Sequence, residues 1–269
     1  QARKLLMSVD ALDAHGHITS HGTMLANLPL PPNLAHMVAL AAQSGQAEDA
    51  AMLAVLLQER VLGGQFEDIE TRFERFVREH GAKADAARML AQRIARLCGA
   101  SGDKQMLSIG GLIGSAFPDR IAKRRDAKGE KWISAMGRGL QLDAASLLAR
   151  AEWLAVADVQ GAASGARILS AAALTEAEIV DRFGHRIESK QILTYDKSTD
   201  RVDARVQRRL GAIVLSEGRV EKPDPQAVAS ALMAAVQDMG IDALPWPLSA
   251  RALRVRAHFA GVASLSDDA

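Results

Sequence analysis

Seven cations stand between positions 120 and 138: Arg120, Lys123, Arg124, Arg125, Lys128, Lys131 and Arg138. Cations at this density can track a phosphate backbone from one face of a small barrel. Arg138 lies in Gly137-Arg138-Gly139, where glycines let a backbone approach a ligand closely. The competing reading is a solvated charged edge that discourages edge-to-edge pairing. Trp132 sits inside the cluster and offers a face for base stacking. The area that a Trp buries, in a chain with 4% aromatics, favours a core position for it. Trp153, beside an apolar run, reads as core as well.

Other chemistry-bearing residues are less well arranged. His15, His17, His21 and His36 have only Asp13 close by and no closing ligand pair, so a zinc site is poorly supported. Ser108, Ser115 and Ser134 lack nucleophile-elbow motifs. Gly110-Gly111-Leu112-Ile113-Gly114-Ser115 lacks the lysine of a phosphate loop and falls inside a helical pattern. No G-x-x-x-x-G-K-[ST] and no D-E-A-H sequence is present. Arg205, Arg208, Arg209 and Arg219 form a second basic set, but strand period puts Arg205 and Arg209 on one face and Arg208 on the other. That set suits a surface or a docking rim at least as well as RNA.

The chain has 269 residues and an ordinary globular balance, 48% hydrophobic and 24% charged. No run approaches the roughly 18 apolar residues of a membrane span, and no secretory signal pattern opens it. It starts with Gln1 in a helical pattern, which reads as an excised fragment. A single Cys98 excludes an internal disulfide and a cysteine zinc cluster, and fits the reducing cytoplasm. Net charge is +1, yet residues 117–150 carry eight basic and four acidic side chains, and residues 182–222 carry ten and six. A basic middle on a near-neutral protein points to a polyanionic ligand.

The elements that must position these cations read as α+β. Helices fill the first 116 residues. Thr19 can cap a turn that Leu28-Pro29 closes, and Pro31-Pro32 suits a new start. Glu48 and Asp49 fit a first helical turn. A fourth helix carries Ile69, Phe73, Phe76 and Val77; a fifth presents Ala86, Leu90, Ile94 and Leu97; a sixth opens at Asp103 and reaches Phe117-Pro118. Short strands follow at Trp132–Met136, Leu154–Ala157, Arg167–Leu174, Ile187–Thr194, Val202–Leu210 and Ala212–Val220, suggesting one small barrel or curled antiparallel sheet. Thr175 and Glu178 make a capping box for an inserted helix. Helices return after Pro223, with Val228, Leu232 and Val236 on one face and a last, arginine-bearing helix over Ser249–Ala260. Ser264–Ala269 reads as a disordered tail.

His17-Ile18-Thr19-Ser20-His21-Gly22, followed by Leu28-Pro29-Leu30-Pro31-Pro32-Asn33-Leu34-Ala35, resembles the helicase-associated region of DEAH-box helicases. There a winged-helix segment leads into a helical ratchet bundle. A narrower set is similar to bacterial HrpB-type ATP-dependent helicases: Ala116-Phe117-Pro118-Asp119-Arg120-Ile121-Ala122 with Arg124-Arg125, Gly137-Arg138-Gly139, Glu152 to Asp158, and Leu244-Pro245-Trp246-Pro247 with Arg251, Leu253, Arg254 and Arg256.

The resemblance implies the end of a winged-helix segment over 1–31, a ratchet bundle over 32–117, an OB-like β module over 118–222 and a C-terminal helical extension over 223–269. It implies RecA-like motor domains elsewhere in the polypeptide, which bind ATP and Mg, and no cofactor in this region. The expected ligand is single-stranded RNA or DNA, held by the seven cations, with the motor domains as the other partner and no membrane. The alternative is a structural module that docks on the motor domains or on another protein without touching nucleic acid.

Overall fold

The computed structural model describes residues 2–59, 61–99, 106–162, 164–240 and 244–261. It divides into two compact units: Gln1–Glu188 with Leu210–Ile213, and Ser189–Arg209 with Val214–Ala269.

Six helices open the first unit: α1 (Ala2–Ser8), α2 (Ser20–Ala26), α3 (Pro32–Ala42), α4 (Ala47–Gln58), α5 (Ile69–Arg78) and α6 (Ala82–Leu97). Their starts are set locally. The Thr19 hydroxyl accepts from Gly22 N at 2.9 Å, and Pro32 occupies the first turn of α3, where its missing N–H costs nothing. α3 is apolar on nearly every side and sits at the centre of the bundle, with Leu34, Met37 and Val38 buried.

α6 is rotated relative to the sequence expectation. Ala84, Ala87, Ala91 and Ile94 are buried, whereas Leu90 and Leu97 remain 46% and 54% exposed. The cause is its partner: α4 is lined with Ala50, Ala51 and Ala54, all buried, so two alanine faces can approach more closely than leucines would allow. The start expected at Asp103 lies outside the described residues. The observed helix α7 (Ile109–Ala116) is capped by Ser108, whose hydroxyl accepts from Gly111 N at 2.9 Å.

Strands β1 (Ile121–Arg124), β2 (Lys131–Ser134), β3 (Gly139–Gln141), β4 (Trp153–Gln160) and β5 (Ser164–Leu174) close a barrel in the order β1-β2-β3-β5-β4. All neighbours are antiparallel except β3 and β5. Ala122, Trp132, Leu140, Leu154, Val156 and Ile168 fill it. β1 and β3 escaped the sequence reading because they are four and three residues long, too short to show a period. The expected strand Trp132–Met136 ends at Ser134 instead, where the chain turns into β3.

α7 packs on β4 and β5 through its glycines. A Cβ on Gly110 would lie 2.0 Å from Ala173 O, so only glycine permits this approach. The glycine run is therefore a packing face. Helix α8 (Glu176–Phe183) follows with the expected capping box: Thr175 Oγ1 accepts from Glu178 N at 3.2 Å, and the Glu178 carboxylate accepts from Thr175 N at 2.8 Å. The same carboxylate takes the Ser108 hydroxyl at 2.5 Å, tying the starts of α7 and α8 together.

The remaining strands do not join the barrel, contrary to the single-sheet expectation. β6 (Ile187–Asp196), β7 (Arg201–Leu210) and β8 (Ile213–Arg219) form a separate sheet in the order β6-β7-β8. The second unit adds α9 (Pro225–Met239) and α10 (Leu248–Phe259). α9 buries no residue, and the expected stripe residue Leu232 is 41% exposed. The tail Ser264–Ala269 lies outside the described residues. The architecture is α+β, as its sequence pattern indicates. Among the described residues, no helix is long and apolar enough to cross a membrane.

One buried cation holds the bundle's loop structure. Arg72 of α5 is 8% exposed; it donates to Leu62 O at 2.9 Å, to Leu56 O at 3.0 Å and to Glu59 O. Leu56 and Glu59 lie at the end of α4, where the helix itself gives Leu56 O only the Glu59 N–H at 3.3 Å. Burial pushes the guanidinium pKa down, but an Arg stays charged in any accessible range. Arg72→Met removes three charge-assisted hydrogen bonds to the end of α4 and the chain after it, and is expected to cost about 3 kcal/mol. That is a fall in Tm on the order of 10 °C for a unit of this size. A thermal melt checks it, with Arg93→Met, which removes an exposed cation that has no partner among the described residues, as the control that should shift little.

Candidate nucleic-acid interface

The seven cations of the 120–138 segment separate into three places. β1 and β2 pair as a hairpin with Arg124 opposite Trp132 and Ala122 opposite Ser134. Its loop runs from Arg125 to Glu130, closed by Arg125 N donating to Lys131 O at 2.8 Å and Lys131 N donating to the Asp126 carboxylate at 3.1 Å. Gly129, at φ +74°, lies so close to Ala149 O that a Cβ would stand 2.1 Å away. The Trp132 indole N–H donates to Gly129 O at 2.8 Å and is 1% exposed. Trp132 is thus a core residue of β2 that holds the loop inward, and it has no face for a base.

Arg124 turns toward the same barrel end. It donates to Ala149 O at 3.2 Å and Arg150 O at 3.3 Å. Arg125, Lys128 and Lys131 differ from it: all three are exposed and have no side-chain partner among the described residues. They form the one part of the segment whose charge is uncommitted.

Lys123 lies on the outside of β1, 3.6 Å from Glu152 and 4.9 Å from the centre of the Trp153 ring. Arg120 and Arg138 lie at the opposite end of the short strands, about 10 Å along β1 from Arg124. Arg120 donates to Ala157 O at 2.6 Å and stacks over Phe117 at 4.7 Å. Burial pushes its pKa down, as does the nearby Arg138, while Asp158 and Asp119 oppose the shift. Arg138 donates to Gly161 O at 2.7 Å, at the β4–β5 turn. Only tertiary pairing reveals which cations are committed, and adjacent charges in sequence carry no signal of it.

The second basic set belongs to the second unit. Arg205 is held by Asp203 at 2.7 Å and Glu217 at 2.5 Å, and these bonds raise its pKa. Together with Arg201, Arg219 and Asp196 they border a groove of about 550 Å³ in which acids match bases in number. A balanced groove has little pull on a polyanion.

His15, His17, His21 and His36 divide into two pairs. His15 and His17 ring a turn in which Asp13 accepts both backbone N–H groups at 2.9 Å. His21 Nε2 and His36 Nδ1 are 2.8 Å apart and part-buried. Among the described residues, no group of three or more His, Cys, Asp or Glu is placed to hold a metal ion.

No family model matches the chain. It is 30% identical over 257 residues to the ATP-dependent RNA helicase HrpB of Escherichia coli K12, an alignment covering 95% of this chain and 31% of the relative. Its fold matches two crystal structures of that kind. The E. coli DExH-box NTPase HrpB superposes with a TM-score of 0.71 at 28% identity, and the E. coli DEAH/RHA helicase HrpB with 0.69 at 25%. Both matches cover 95% of this chain and 31% of the other. The chain therefore spans about a third of the length of the relatives it matches. The resemblance carried by its motifs is borne out in sequence and in fold, consistent with a C-terminal region of an HrpB-type helicase.

The part-buried His21–His36 pair makes stability depend on pH. Burial first, then His21 and Arg186, hold the His36 pKa down at about 4, with Asp10 opposing. The folded pKa lies below the unfolded value near 6.5, so this stability is complete above about pH 6.5 and is lost as pH falls toward 4. His36→Gln should flatten the fall in Tm across that window relative to the parent, by up to about 3 kcal/mol at the acid end. Parallel melts at several pH values read the difference and cancel the shared carboxylate titration.

Proposed function

We propose that this chain is the accessory region of an ATP-dependent RNA helicase, and that it holds single-stranded nucleic acid by its phosphates while RecA-like motor domains elsewhere in the polypeptide split ATP in the cytoplasm. The observation that carries the reading is the β1–β2 hairpin, where Arg125, Lys128 and Lys131 stand exposed and unpaired at the rim of the barrel. The strand order β1-β2-β3-β5-β4, with β3 parallel to β5, supports an OB-like barrel, a fold in which the loop between the first two strands is a common oligonucleotide contact. Both barrel tryptophans are buried, so the contact is with the backbone rather than with bases. Binding of this kind is nearly sequence-blind, similar for RNA and DNA, and steeply salt-dependent.

A second reading rests on a different face. Met89, Leu90 and Leu97 leave α6 with an exposed apolar flank, which suits docking of the bundle on the motor domains. The two readings separate by variant. Anisotropy of labelled single-stranded RNA and DNA should show affinity falling about 20-fold between 50 and 200 mM salt, as expected for three phosphate contacts. Arg125→Glu with Lys128→Glu and Lys131→Glu should reduce binding at least about tenfold. Lys123→Gln should change it little. No binding at low salt, or binding indifferent to the triple change, contradicts strand contact by the hairpin. Loss of motor docking in Leu90→Glu/Leu97→Glu, with no strand binding by the parent, favours the second reading.

A further inference from the structure

The three-stranded sheet of the second unit ends on a bare edge. β6 is ten residues long and pairs only with β7. Among the described residues, no backbone group of Ser189–Asp196 bonds to anything outside the sheet. Natural edge strands are blunted by shortness, Pro, bulges or several Lys. Ser189–Asp196 holds neither Pro nor Gly and a single Lys190, which has no partner among the described residues. The opposite edge, β8, is seven residues long and contains Gly218. The longer and less protected edge is therefore β6, and half-buried Ile192 and Leu193 sit at its middle.

We propose that β6 pairs antiparallel with β6 of a second copy of this chain, joining two three-stranded sheets into one of six across a two-fold axis. A two-fold seam must match itself. Centred on Leu193, the seam sets Lys190 of each copy opposite Asp196 of the other, Gln191 opposite Tyr195, and Leu193 opposite its own equivalent. Shifting the centre to Ile192 sets Glu188 opposite Asp196 and leaves Lys190 facing Thr194. Opposite charges across a strand pair stabilise it and like charges oppose it, so the Leu193-centred register is preferred. Backbone hydrogen bonds supply the attraction, as in other strand additions. A two-strand seam buries far less than the ~1,200 Å² of a stable interface, so the dissociation constant should be on the order of 100 µM.

Sedimentation velocity of the whole chain from about 5 to 400 µM, read against that expected constant, should show a monomer passing into a dimer. Leu193→Pro introduces a residue type that natural edge strands use against pairing and should leave a monomer at all concentrations, as should Lys190→Asp; melts of each confirm that it folds. In a Cys98→Ser background, Leu193→Cys should form a disulfide-linked dimer under mild oxidation, because opposed residues in an antiparallel pair have Cα atoms about 5 Å apart. Lys190→Cys, which does not face itself, should not. A monomer throughout the range, a dimer that both edge variants leave intact, or equal cross-linking at positions 190 and 193 overturns the proposal.

Discussion

What the surface of the barrel offers depends on how its end is closed. The Trp132 indole, buried in the barrel, donates to Gly129 O, and Gly129 lies against Ala149 O where no side chain would fit. Arg124 caps the same end by donating to Ala149 O and Arg150 O. With the loop fixed inward at Gly129, and Arg124 committed to carbonyls, Arg125, Lys128 and Lys131 are left outside. Buried polar groups must find partners, and here that requirement sorts neighbouring cations into structural and free ones.

The same requirement shapes the rest of the first unit. Arg72 supplies donors to Leu56 O, Glu59 O and Leu62 O, which ties the end of α4 to the chain that follows it. The Glu178 carboxylate serves two helix starts at once, through Thr175 and Ser108. Gly110 lets α7 lie against the backbone of β5, which joins bundle and barrel through direct packing. A loop displayed on such a frame has a defined position relative to the bundle within that unit.

Features decided within a turn of chain were legible in the sequence. The Thr19 cap, the proline start of α3 and the Thr175–Glu178 box all depend on residues no more than four apart. Features decided by a distant partner were not. Whether α6 buries its alanines or its leucines depends on the alanines of α4. Whether β6, β7 and β8 join the barrel depends on pairing between strands far apart in sequence. The candidate site followed the same division. A basic cluster is visible as composition, but the carbonyls that occupy Arg120, Arg124 and Arg138 come from residues 23 to 37 positions away. The likeness to HrpB-type helicases covers nearly the whole chain, and it does not by itself say which cations are free.

Lysine footprinting tests the central claim most directly. The chain would be acetylated under limiting reagent with and without a short single-stranded RNA, and each lysine read by mass spectrometry. The account predicts that RNA protects Lys128 and Lys131, while Lys123, held between Glu152 and Trp153, and Lys190 of the second unit keep their reactivity. Protection spread evenly over all lysines, or confined to residues outside the β1–β2 hairpin, would contradict it.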